Sequence, residues 1–208
     1  AMSPSRTLLL PLIAALATGS ALAKDDAIEP MKRKQLVIVS FDGAHDNMLW
    51  EKSRAMAKRT GAHFTYFLSC TFLFPKSERA QYQAPYEKRG RSNVGFAPDK
   101  EDTILRIGEI WLAQLEGHDI GSHACGHFDG GKWNAEDWKA EFTFFRQALK
   151  TAWQNAGVGE REPAGWQDFA ENDIKGFRAP YLSAGSGLVK ALESSGFSYD
   201  ASLVTKGP

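Results

Sequence analysis

The run GHDIGSHACGH at residues 117–127 places three histidines, His118, His123 and His127, within ten residues, the last two four apart. Two other polar groups stand in short apolar surroundings elsewhere: SFDGAHD at 40–46, with Asp42, His45 and Asp46, and GFRAPYL at 176–182, with Arg178 and Tyr181. Imidazole nitrogens and a carboxylate oxygen are the donors of a catalytic zinc site, in which three protein ligands leave a fourth position for water. A bound metal lowers the pKa of that water toward neutrality and polarises a carbonyl. A single histidine is more often a hydrogen-bonded polar residue than a ligand. His123 and His127 together, with an aspartate delivered from another strand end, reverse that preference and point to metal-assisted hydrolysis. Their i, i+4 spacing lets both rings face one way if the loop turns into helix there.

Such a site needs elements that bring three distant runs together, and the sequence alternates strand-like and helix-like segments. Residues 36–41 (LVIVSF), 63–69 (HFTYFLS), 118–122 and 174–177 read as short buried strands, and a fifth begins at 197–199. Helices are expected over 47–60, stopped by Gly61, and from Asp99, with a stripe of Ile104, Ile107, Trp111 and Leu115 closed by Gly117. Asn134, with Asp137 three residues on, caps a third helix whose face is Trp138, Phe142, Phe145, Leu149 and Trp153, a stripe read as core. A last helix spans about 187–195 and ends at Gly196. Strands alternating with helices mean a parallel sheet with helical crossovers. In such folds function gathers at the C-terminal strand ends, which selects the three polar runs.

The motifs SFDGAHD, GHDIGSHACGH and GFRAPYL, in that order, resemble those of the polysaccharide deacetylases, carbohydrate esterase family 4, also called the NodB-homology domain. The resemblance covers about residues 35–203. It implies an α/β fold, a distorted (β/α) TIM-like barrel, and a zinc-dependent hydrolysis of acetyl groups on an N- or O-acetylated carbohydrate. It implies His123 and His127 as metal ligands, Asp42 as general base, Arg178 as the residue that orients that base, and Tyr181 as the donor of a backbone N–H to the oxyanion. These roles are chemically coherent, because N–H donors and metal act most strongly on charge that develops in the transition state.

Two departures from the family pattern stand out. Its second aspartate in the first motif, a metal ligand, is replaced by Gly43, which has no donor atom. Asp46 is the favoured substitute, reaching back over a Gly43-Ala44 turn. It could equally cap the helix that starts at Asn47, and His45 is a weaker candidate. Alternatively Asp42 is itself the ligand and the base comes from elsewhere. The family's later motifs, an aspartate-tryptophan segment and a leucine-x-histidine that supplies the general acid, have no match. Together with Ala1 before Met2 and a turn-like Lys206-Gly207-Pro208 end, this reads as a piece of a longer protein, with the barrel incomplete at its C-terminus.

The N-terminus carries Arg6, an apolar stretch over 8–17 and Ala21-Leu22-Ala23, the pattern of a secretory signal peptide cleaved after Ala23. The apolar run is too short for a stable membrane anchor. Residues 24–34 are then a linker and 35–208 the catalytic domain, secreted or periplasmic. Formal net charge is zero, with 25 basic and 25 acidic residues, which gives no electrostatic case for nucleic acid or an anionic membrane as partner. In an oxidising compartment Cys70 and Cys125 either pair or serve as small buried hydrophobes. The long 71–99 connection, with Tyr82, Tyr86, Arg89, Arg91, Asn93 and Phe96, reads either as a substrate-binding loop or as a mobile surface loop, and Asp129 either supports a histidine ligand or sits in an ordinary turn beside Gly130-Gly131. The 158–173 segment, with Trp166, reads as a structural loop. Three functions remain in view: a metal-dependent carbohydrate deacetylase, a non-catalytic carbohydrate-binding relative, and a hydrolase of another amide or ester on the same barrel. A protease of the H-E-x-x-H type is disfavoured by Ala124 at the glutamate position.

Overall fold

In the computed structural model, which describes residues 35–204, five short strands form one parallel sheet in the order β1-β2-β3-β4-β5. They are β1 (Ser40–Gly43), β2 (Thr65–Leu68), β3 (Asp119–Ser122), β4 (Gly176–Phe177) and β5 (Tyr199–Asp200). The helices are α1 (Asn47–Thr60), α2 (Lys100–Leu115), α3 (Ala135–Lys150), α4 (Ala152–Asn155), α5 (Trp166–Asn172) and α6 (Ser186–Ser194). The architecture is the expected α/β one, with the sheet open among the described residues. No described helix is long and apolar enough to cross a membrane. The expected signal peptide and linker lie outside the described residues, as do residues 205–208.

Alternation along the strands sorts side chains onto two faces. Tyr66, Leu68, Ile120 and Phe177 point to the helices. Tyr66 stacks on Trp50 of α1 with ring centroids 4.0 Å apart, and Phe177 meets Phe142 of α3 edge to face at 5.0 Å. Helix α3 forms for reasons visible locally: Asn134 accepts from the Glu136 and Asp137 N–H groups, and the Asp137 carboxylate reciprocates to the Asn134 N–H. Its buried face is Trp138, Glu141, Phe142, Phe145 and Leu149, so the aromatic stripe is core.

The opposite face carries Ser40, Asp42, Thr65, Phe67, Asp119, Gly121 and, just past β4, Arg178. Flat parallel strands about 4.8 Å apart would put β1 and β4 about 14 Å from each other, beyond the reach of one side chain. Nevertheless the Arg178 guanidinium donates to Asp42 Oδ1 at 2.8 Å and to Ser40 Oγ at 2.9 Å. The sheet must therefore curl toward this face. Two glycines allow it. A Cβ on Gly121 would lie 2.7 Å from the Phe67 ring, and one on Gly176 would strike the Tyr199 ring.

Several elements differ from expectation. The first strand is Ser40–Gly43 rather than 36–41, because β2 begins at Thr65, the register partner of Ser40. Leu36, Val37 and Ile38 then have no strand beside them and are exposed. On α2 the buried face is Thr103, Arg106, Ile107, Ile110 and Ala113, while Leu115 is exposed. Trp153 belongs to α4, and the 158–173 segment contains α5, whose Trp166 is fully buried and donates its indole N–H to Leu149 O at 3.0 Å.

Gly121→Ala should cost about 1–3 kcal/mol, since the added methyl forces the Phe67 ring off its place in a closely packed interior. Urea unfolding measures this, and an unchanged midpoint would mean that the curled face has room to spare.

Candidate active site

The turns after β1, β3 and β4 meet at one end of the sheet. Of the six non-glycine residues with positive φ among the described residues, five are there: Ala44, Ala124, His127, Tyr181 and Leu182. Left-handed backbone at such residues costs of order 1–3 kcal/mol each and persists only where surrounding contacts enforce it. Asp42, Gly43, His45, Phe72, Val94, His123 and His127 line one cavity of about 230 Å³ at this end. The sequence-predicted Asp42, His123 and His127 are thus brought together. Tyr181 packs its ring edge on His127, centroids 4.7 Å apart. His118 is elsewhere, at the start of β3, where it is buried and its Nδ1 accepts from the Phe64 N–H at 3.1 Å.

Each polar group has an identifiable orienting partner. His123 Nδ1 lies 2.7 Å from the Arg178 carbonyl, which can only accept, so Nδ1 carries the proton and Nε2 is left free. Burial pushes the His123 pKa down and favours the neutral imidazole, the form that ligates metal. The His123 and His127 rings lie 5.0 Å apart, centroid to centroid. Arg178 holds one oxygen of Asp42 and leaves the other open as a proton acceptor. A neutral imidazole with a fixed tautomer, a second imidazole and a carboxylate form a donor set suited to zinc. Among the described residues, no three His, Cys, Asp or Glu side chains already stand in a metal-holding arrangement.

Two expected residues are placed differently. Asp46 caps α1: its Oδ1 accepts from the Met48 and Leu49 N–H groups at 2.9 and 3.0 Å. It lines an adjoining cavity of about 450 Å³ with Arg106, Asp102 and Phe96, and not the histidine cavity. Asp129 accepts from the Gly131 N–H within its own turn, and the group bonded to the His123 ring is the Arg178 carbonyl.

The loop from His123 to His127 is held almost atom by atom. The N–H groups of His123, Cys125 and Gly126 donate to Leu68 O, Glu141 Oε1 and Tyr82 Oη, at 2.7, 3.0 and 2.9 Å. The carbonyls of Ala124, Cys125 and Gly126 accept from Cys70 N, Thr71 Oγ1 and Asn93 N. A disulfide joins Cys125 to Cys70, just past β2. Tyr82 also donates to Glu141 Oε1 at 2.8 Å and is fully buried, so it braces the loop and does not face substrate. Asn93 likewise donates to the His127 carbonyl, while Tyr86 is exposed and donates to Asp137. Sequence reading overlooked Glu141. The signal was a carboxylate three residues after Trp138 on an otherwise apolar helical face.

No family sequence profile matches the chain, and no curated protein is similar to it in sequence. Solved structures are similar in fold. A mutant of a CE4 family pseudoenzyme with restored enzymatic activity is 11% identical at TM-score 0.50, with 81% of this chain and 44% of that one covered. The chitin deacetylase of the fungal pathogen Colletotrichum lindemuthianum is 16% identical at TM-score 0.48, with 78% and 53% covered. The chain thus spans about half the length of these proteins.

Burial pushes the Glu141 carboxyl up to about 7 from an ordinary 4.5. The folded state therefore favours its proton, and the stability this provides is present below about pH 4.5 and lost as pH rises to about 7, a loss on the order of 3 kcal/mol. Glu141→Gln should remove that dependence: the stability of wild type relative to the variant should fall between about pH 4.5 and about pH 7.5 in urea unfolding. Opening the disulfide, by reduction or Cys70→Ala with Cys125→Ala, closes no loop across a separation of 55 residues and should cost about 4 kcal/mol. The same unfolding assay measures it.

At this end of the curled sheet the Asp42, His123 and Arg178 runs converge, and the chain has the fold of the CE4 family pseudoenzyme.

Proposed function

We propose that this protein is a metal-dependent hydrolase that removes acetyl groups from a carbohydrate, secreted or periplasmic, with His123 and His127 as metal ligands and Asp42 as general base. The observation that carries the reading is the convergence of Asp42, His123 and His127 in one cavity, with the His123 Nδ1 proton directed to the Arg178 carbonyl. The fold shared with a CE4 family pseudoenzyme, a mutant of which has restored enzymatic activity, supports a carbohydrate ester or amide as substrate. The disulfide fits an oxidising compartment.

Zinc at this site would act as a Lewis acid on the acetyl carbonyl and acidify water. The protein's own residues supply the rest. Asp42, one oxygen held by Arg178, takes the proton from the attacking water through its free oxygen. The Arg178 backbone sets the His123 ring while its side chain sets Asp42, so one residue aligns the base with the ligands. The left-handed turn at Tyr181 brings its backbone to the same end of the sheet, where an N–H can stabilise developing negative charge. A second reading, a carbohydrate-binding protein without catalysis, draws support from Gly43, which removes a family ligand.

Zinc content and acetate release from acetylated oligosaccharides separate the two. Wild type should hold about one zinc per chain, His123→Ala should lose it, and Asp42→Asn should keep it while acetate release falls by about 10²–10⁴. Folded wild type that takes up no supplied zinc would sink the hydrolase reading and leave the binding one.

A further inference from the structure

The turn that follows β1 is built around the missing family ligand. Gly43 and Ala44 are both left-handed, at φ 78° and 50°, and reverse the chain directly above the histidine cavity. Four successive carbonyls of this turn are each engaged, by three residues in all. Gly43 O accepts from Ser69 N at 3.3 Å, Ala44 O from the Trp50 indole N–H at 2.8 Å, His45 O from the buried Arg106 guanidinium, and Asp46 O from Trp50 N at 3.1 Å. The backbone of residues 43–46 is therefore set by β2, α1 and α2 together.

Both candidate side chains line the adjoining cavity of about 450 Å³, but only His45 also lines the histidine cavity. The Asp46 carboxylate turns toward α1 and accepts two of its N–H groups. His45 lines the cavity that holds Asp42, His123 and His127. Its ring lies against Phe72, centroids 5.1 Å apart and nearly parallel, and among the described residues makes no hydrogen bond. Asp42 is already engaged by Arg178. A cavity with two imidazoles thus has a third imidazole at its wall, with both ring nitrogens free.

We propose that His45 is the third protein ligand of the metal, giving a three-histidine site in place of the family's aspartate and two histidines. The inference rests on the hydrolase reading. Ligation requires the ring to leave Phe72 and turn toward His123 across the shared cavity, through a change of side-chain rotamer. Three imidazoles leave one position open on a tetrahedral ion and free Asp42 to serve as base. An all-nitrogen set also favours zinc, cobalt or copper over magnesium, calcium or manganese.

Titration calorimetry with zinc and the absorption spectrum of the cobalt-loaded protein, on the full chain, test this, with circular dichroism confirming the fold. Loss of an outer partner typically weakens metal binding 10–100-fold. His45→Ala, which removes a direct ligand, should therefore exceed about 100-fold and shift the cobalt bands. Asp46→Asn keeps a good helix cap and should bind zinc as wild type does. If His45→Ala misfolds, His45→Asp offers a carboxylate at the same place and should bind zinc with an altered cobalt spectrum. Wild-type affinity and an unaltered cobalt spectrum in His45→Ala, with His123→Ala inactive in binding, would overturn the His45 assignment and leave the hydrolase reading standing. So would loss of zinc in Asp46→Asn alone. Failure of wild type to bind any zinc would overturn both.

Discussion

The guanidinium of Arg178 ties the curled sheet together. It donates to Ser40 and Asp42 on β1 and to the Ala201 carbonyl after β5, and it lies over the Phe67 ring of β2 at 4.5 Å. Its own carbonyl accepts from His123 after β3. A planar cation with donors in a fixed fork is suited to such a position, where several acceptors must be met at once. A lysine would keep the charge but could not reproduce the forked geometry. The partly buried charge is tolerated because it is paired with Asp42 and hydrogen-bonded to Ser40 and Ala201. The curl of the sheet and the alignment of the candidate base with the candidate ligand are therefore the same interaction.

Around that hub the fold separates two tasks. The helix-facing side of the sheet is apolar and aromatic, with Trp50, Trp138, Phe142 and Phe177 packed at ordinary ring distances, and supplies the burial that stabilises the domain. The inner side is polar and carries Asp42, Asp119 and Arg178, with glycines at 121 and 176 making room for Phe67 and Tyr199. Strained backbone is confined almost wholly to the turns that open toward the cavity. The disulfide, Glu141, Tyr82 and Asn93 hold that backbone in place around His123–His127. Rigid support of this kind holds the backbone that carries the two imidazoles in one arrangement.

Much of this was legible in the sequence. Helix α1 and its Gly61 stop, the capping box at Asn134 and the core stripe of α3 are local matters, set by side chains within a few residues of each other, and they stand as read. The convergence of Asp42, His123 and Arg178 also followed from a local rule, since residues after parallel strands share one end of a sheet. The limits of β1 did not follow. The apolar run 36–41 satisfies strand propensity, but a strand needs a neighbour, and β2 starts at Thr65. Likewise the length of the 71–99 segment suits a substrate loop or a mobile surface loop, whereas Tyr82 and Asn93 give their hydrogen bonds to the histidine loop and its support.

What the amino-acid sequence determined by itself was the chemistry on offer: which donors exist, which strand end each follows, and that residue 43 can donate nothing. Only the tertiary structure decided how those donors are shared out. Asp46 and His45 are adjacent and both plausible from spacing alone. The first helix takes the Asp46 carboxylate for its free N–H groups, while Arg106 and Trp50, 61 and 6 residues away from the carbonyls they bind, fix the turn that puts His45 at the wall of the histidine cavity. A side chain's direction depends on backbone angles, and here those angles are set by partners distant in sequence, so no local pattern could have carried them.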